Sequence, residues 1–186
     1  TSREPMNFYW VGDGDNWQDL SHWADSSGGP ANHTELPTKI DSVFIDSNSF
    51  SMSDQAISFT SSAEFLTLDM SEVHYQPRFE ANYHLYAYGS IIIPEAVNYS
   101  INMLYLRAHD SAVLQLNTSK EGNDYMGYLR PDGPGVYTVI DTLAVYNMDF
   151  YEGTLSYTQP GYIGNLDAEG SGRSARSRSP SRGRSP

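Results

Sequence analysis

Three aspartates near the start of the chain, Asp13, Asp15 and Asp19, stand in the order D-x-D-x-x-x-D, the kind of spacing that invites a calcium reading. Calcium takes six to eight oxygen ligands, and a helix-loop-helix calcium loop would place a bidentate glutamate at its twelfth position. That position holds Ala24. A looser site stays open beside the simpler reading of solvated turn aspartates. All three tryptophans, Trp10, Trp17 and Trp23, fall in the same stretch. Exposed indoles next to carboxylates stack on sugar rings, whereas indoles among glycines more often plug a core. Trp10 and Trp17, with Gly12 and Gly14, therefore read as a structural cap. Trp23, Asp13 and Asp15 are the candidate ligand-binding residues of this region, joined further along by Tyr86 and Tyr88.

Other candidate chemistry is thinner. The histidines, His22, His33, His74, His84 and His109, share no metal-ligand spacing. His109-Asp110-Ser111 supplies the residue types of a catalytic triad, but neighbours in one turn cannot converge on one substrate atom. Asp69, Glu72, Asp149 and Glu152 are the carboxylates that could cleave a polysaccharide, with Arg107 as a cationic helper. Nothing marks a pair among them. The expectation is no catalytic residue, no metal and no cofactor. Binding would fall to outward tyrosines, with Tyr75, Tyr83, Tyr105 and Tyr146 added to the two above.

The elements that would position these residues are strands. The 186 residues include 14 tyrosines and are 39% hydrophobic, and aromatic and β-branched side chains pack well on a pleated surface. Short hydrophobic runs bounded by Gly, Asn, Asp, Ser or Pro follow one another from Asp41 onward. Leu66, Leu85 and Leu104 each open such a run at steps of 19 residues, and Leu143 opens another 39 further on. A strand-bearing period near 20 residues implies a solenoid in which each repeat makes one coil. The fold expected is all-β, a short parallel β-helix over residues 41–166. The alternative is an antiparallel β-sandwich with evenly spaced hairpins. An open coil exposes strand edges and apolar core, so residues 1–40 are expected to be its cap.

The formal net charge is −12 with no cysteine. Five of the eleven basic residues follow residue 172, so the body carries 6 basic against 23 acidic residues, a net −17. Such a body repels nucleic acid and anionic membranes. No apolar run approaches the length of a membrane span. Residues 167–186 form a Gly/Ser/Arg tail whose composition cannot bury apolar surface. It reads either as an RNA-binding or phosphorylated Arg/Ser segment or, more simply, as a linker or vector remnant. Asn32, Asn98 and Asn117 begin glycosylation-type sequons.

The opening stretch also carries a resemblance. Trp10, Gly12, Gly14, Trp17, Asp19, Trp23, Gly28 and Gly29, followed by Pro37, Asp41, Val43 and Phe44, resemble a module of large bacterial secreted and surface proteins, Bacteroidota-type and autotransporter-like. "LYAYGSIII" and "GPGVYTVIDTLAVYNMDFYEGTL" are similar to coil segments of those proteins. The resemblance spans about Phe8 to Gly161 and implies a right-handed parallel β-helix on a cell surface or in the extracellular space. Asp13 and Asp15 depart from its small-residue pattern, and the Arg/Ser tail is foreign to it. The resemblance leaves function open, since such a fold hosts adhesins, lyases and tailspikes alike; the expectation is a non-enzymatic adhesin, stalk or binding piece whose partner is a surface glycan or another protein. A carbohydrate-binding or polysaccharide-active fragment is the alternative.

Overall fold

The computed structural model describes residues 3–14, 16–116, 125–158 and 162–167. Asp15, Asn117 and the Arg/Ser segment lie outside the described residues. In chain order the strands are β1 (Asn7–Trp10), β2 (Trp23–Ala24), β3 (Ser42–Phe44), β4 (Ala56–Ser58), β5 (Ala63–Phe65), β6 (Thr67–Asp69) and β7 (Arg78–Ala87). They continue with β8 (Ile91–Ile92), β9 (Asn98–Leu106), β10 (Ser111–Gln115), β11 (Tyr125–Val139), β12 (Ala144–Asp149), β13 (Glu152–Tyr157) and β14 (Tyr162–Asp167). A 3₁₀ turn, Leu20–His22, precedes β2.

The architecture is a parallel β-solenoid of about five turns. The chain alternates between two walls. The first wall stacks β1, β3, β6, β8, β10, the end of β11 and β13; the second stacks β4 and β5 on β7, then β9, the start of β11, β12 and β14. These pairings are parallel, and β1–β2 is the antiparallel exception, so the sandwich alternative is overturned. Hairpin turns are not needed where each strand pairs with the one a coil earlier. β1 already pairs with β3, so the first wall begins inside the segment expected to be only a cap.

Side chains alternate in and out along the strands, with a break in the alternation within β7, β9 and β12, and the register stacks inward residues into columns. On the first wall, Phe8, Val43, Leu68, Ile91, Leu114 and Val139 follow one another, all buried. On the second, Ala63, Leu85, Leu104, Leu129 and Met148 do the same. Tyr137 also points inward. Its hydroxyl donates to the Ala87 carbonyl (3.1 Å) and accepts from the Ala108 N–H (3.0 Å), which ties coils together across the interior. Burial pushes this phenol up to about 12, against a smaller opposing effect of the Ala108 N–H.

The leucine ladder is thus real but differently framed. Leu85 stacks on Leu104 at the 19-residue step. Leu66 is 36% exposed at a corner, and Ala63 is the residue beneath Leu85. Leu129, not a residue at a fixed period, follows Leu104. Leu143 is buried but precedes β12, where Met148 continues the column. Coils differ in loop length, so a constant period drifts out of phase with the wall.

Leu104→Ala should therefore cost about 2–5 kcal/mol in urea unfolding, the usual range for truncating a packed leucine. Leu66→Ala should cost only about 0.5 kcal/mol, as surface changes do. Equal losses at the two sites would contradict this register.

Candidate functional site

The tryptophan-rich opening is packed inward. Trp10 and Trp23 are 0% exposed and Trp17 is 1% exposed. Trp23 meets Trp10 edge-on at 5.2 Å and Trp17 edge-on at 4.8 Å, and its Nε1 donates to the Trp17 carbonyl at 2.9 Å. Trp17 stacks on Phe59 (4.9 Å) and meets Phe79 edge-on (6.3 Å), so it lies over the mouth of the second wall. Its N–H donates to the Ser58 carbonyl at 2.9 Å, beside the parallel bridge of Asn16 with Ser58. A buried Trp23 has no ring face left for a sugar, and the reading of it as a ligand platform is corrected on that ground.

The glycines of the motif have steric reasons. Gly12 sits at φ +87°, a conformation L side chains rarely adopt. A Cβ on Gly14 would overlap the His22 imidazole, which stacks on Trp10 at 4.5 Å and 5° and bonds through Nδ1 to the Val11 carbonyl at 2.9 Å.

Among the described residues, Asp13 and Asp19 are occupied by the chain itself. Asp13 accepts from the Ser51 hydroxyl and from the Ser51 N–H (2.9 Å), and these bonds hold its carboxyl below the ordinary range. Asp19 caps the 3₁₀ turn by accepting from the Ser21 N–H at 2.9 Å. Among the described residues no three metal-ligand side chains converge. A depression of about 280 Å³ is lined by Met6, Asp25, Asn32, His33, Thr34 and Glu35. Glu35 there is paired with Arg3 (3.0 Å) and His33 with the Asn7 carbonyl (3.0 Å).

Asp41 is a buried anion, at 0% exposure. Arg3 donates to both its oxygens, the Met6 N–H to Oδ1 (2.9 Å), and the Thr38 N–H and hydroxyl to Oδ2 (2.8 Å each). Burial would raise its pKa, but these donors outweigh it and hold the carboxyl at about 2.

The outer face of the second wall carries the remaining candidates. After Leu85, Leu104, Leu129 and Met148 of the column, the chain places two outward side chains around one inward one; after Ala63 the equivalent positions hold Glu64 and Leu66, outside the tyrosine, arginine and aspartate strip. The four successive triplets are Tyr86-Ala87-Tyr88, Tyr105-Leu106-Arg107, Arg130-Pro131-Asp132 and Asp149-Phe150-Tyr151. Register puts Tyr86 on Tyr105 and Tyr105 on Arg130. The Tyr86 and Tyr105 rings stack at 4.7 Å and 24°. The Arg107 guanidinium lies 4.6 Å from the Tyr86 centroid and 5.3 Å from that of Tyr105. Arg130 lies between Tyr105 (5.8 Å) and Tyr151 (5.2 Å). Each arginine pairs with an aspartate one coil onward: Arg107 with Asp132 at 3.0 Å, Arg130 with Asp149 at 3.2 Å. Arg107 also donates to the Tyr88 hydroxyl (3.4 Å). Burial would lower its pKa, but bonds to Tyr88 and Asp132 hold it raised. Tyr128, in the neighbouring outward column, is 42% exposed, and Tyr151 is 54% exposed.

Tyr86 and Tyr88 thus stand together in one strip with Tyr105. Tyr75, Tyr83 and Tyr146 are exposed and lie outside the triplets. Of the carboxylates weighed as candidates for polysaccharide cleavage, Asp69 stands on β6 of the first wall, where it accepts from the Ser71 N–H (2.9 Å), and Asp149 on β12 of the second, paired with Arg130. Arg130 and Asp132 were missed because residues 125–131 carry no clean strand pattern. The usable signal was the recurrence of "LYAY", "LYLR", "LRPD" and "MDFY". Compared with family models, curated proteins and solved structures, the chain finds no significant match.

The Asp41 carboxyl is depressed in the folded state, so its contribution is complete above about pH 4, the unfolded value. It should be lost as the pH falls through about 2, removing about 2 kcal/mol. Asp41→Asn should flatten that part of a pH-dependent unfolding curve. An unchanged acid limb would contradict the latch.

Proposed function

We propose that the chain is a non-enzymatic binding module of a secreted or cell-surface protein that takes a saccharide on the outer face of the second wall. The observation that carries this reading is the ordered strip of tyrosines, arginines and aspartates at one edge of that wall. Ion pairs at this exposure contribute no more than about 1 kcal/mol each, and exposed cation–π contacts contribute about as little. Folding stability is therefore a weak reason for so regular an arrangement. Aromatic rings with fixed donors and acceptors on a rigid sheet are the elements of sugar recognition, because little entropy is lost on binding. The acidic composition and the resemblance of the opening motif support a surface setting. Asp132 and Glu152 are register partners on adjacent strands, which favours polysaccharide cleavage as the second reading, although Asp132 is already engaged by Arg107.

A glycan array with and without calcium, run beside a reducing-sugar release assay, separates these readings. Binding without turnover, and without calcium dependence, is the expected result. Release of reducing ends that a single Asp132→Asn or Glu152→Gln change abolishes would establish the enzyme instead.

A further inference from the structure

We propose that the strip takes a neutral, diol-rich linear glycan laid parallel to the solenoid axis, one sugar for each of the four triplets. This rests on the saccharide-binding reading above and adds the ligand's charge, direction and length.

Charge comes first. A strip built to hold carboxylates or sulfates needs cations in excess. Here Arg107 and Arg130 are each matched by an aspartate one coil onward, at 3.0 and 3.2 Å. Glu64, the register partner of Tyr86, and Glu152, that of Asp132, add negative charge at the margins. An anionic chain approaching this face would meet no net positive field from these residues.

The same pairing suits hydroxyls. A guanidinium only donates and a carboxylate only accepts, whereas a hydroxyl does both. An arginine beside an aspartate can therefore hold two adjacent hydroxyls at once, one accepting from N–H and the next donating to the carboxylate. Bonds of this kind involve charged partners and are the stronger class. Tyr86, Tyr88 and Tyr105 add phenolic hydroxyls, and the exposed rings of Tyr128 and Tyr151 offer apolar faces for the C–H side of a sugar.

Direction and length follow from the stacking. Neighbouring strands are spaced roughly 4.8 Å apart, close to the length of one pyranose unit in an extended chain. The triplets repeat along the axis at that spacing, so a glycan running with the axis meets a pair of outward polar or aromatic side chains at each step, though the pair differs from coil to coil. A glycan lying across the axis would meet one triplet and then leave the strip.

The test is calorimetric titration with neutral oligosaccharides of one to six hexose or pentose units (gluco-, manno-, galacto- and xylo- series), beside oligouronates of the same lengths. Affinity for one neutral series should rise up to about four units and then level off, with Kd changing less than about twofold between low and high salt. Asp132→Asn should weaken it about tenfold, as expected for removing one charged hydrogen-bond acceptor, with an unchanged melting temperature. Thr138→Ala, on the opposite wall, should change nothing. Preferential binding of oligouronates with steep salt dependence would overturn the neutral class while leaving the saccharide reading intact. Affinity that stops rising after one unit would overturn the axial arrangement. Absence of binding to every neutral and acidic series at millimolar concentration would overturn the saccharide reading, and this inference with it.

Discussion

A stack of parallel coils cannot end on itself. Each strand satisfies its backbone by pairing with the coil before and after, so the first coil has no partner on one side, and the apolar columns run out to that same end. In this chain the opening motif meets both needs. The backbone need is met by β2, which pairs antiparallel with β1 and shields the free edge of the first wall. The apolar need is met by three buried indoles, Trp23 lying edge-on to both Trp10 and Trp17, and Trp17 lying over Phe59 and Phe79 at the mouth of the second wall. Asp41 then fastens the chain entering β1, through Arg3 and the Met6 N–H, to the start of β3. Glycine at position 14 is required because the His22 ring, stacked on Trp10, fills the space a Cβ would take.

Once the end is closed, the inward and outward faces of each strand are free to answer different demands. Inward positions carry Leu, Ile, Val, Phe and Met in columns, and their burial supplies the stability. Outward positions on the second wall carry a sequence that changes from coil to coil, aromatic first, then cationic, then anionic. The register turns that one-dimensional change into a two-dimensional strip, with each arginine resting on rings and held by the aspartate one coil on. The fold contributes spacing and rigidity, and the outward side chains contribute the chemistry.

Much of the frame was legible in the residues. Short β-rich runs recurring near every 20 residues pointed to stacked coils, and Leu85 and Leu104 do stack at their 19-residue separation. What failed was the assumption of one fixed period. The segment from β4 to β6 breaks into three short strands, which shifts the phase and leaves Leu66 facing out at the corner. Trp23 illustrates a different limit. Apart from Ala24 its near neighbours in sequence are mostly polar, and only the three-dimensional packing against Trp10 and Trp17 shows that it belongs inside. Asp13 looked like a cation ligand, yet its partner is Ser51, far along the chain. The strip was the hardest feature to see. Tyr86 and Tyr88 stand out by composition, but Arg130 and Asp132 acquire meaning only when "LRPD" is stacked on "LYLR".

The claim on which all of this stands is that the indole cluster closes the coil stack, and Trp17 is the residue at that joint. The most direct measurement is the unfolding free energy of Trp17→Ala against the parent chain, by urea denaturation followed through far-ultraviolet circular dichroism. The expected result is a loss of about 3–5 kcal/mol, the range for removing a large buried aromatic side chain, with the transition still monitored over the whole solenoid. A loss within about 0.5 kcal/mol, the range for surface substitutions, would contradict the account, because it would mean that the coils hold together without the plug.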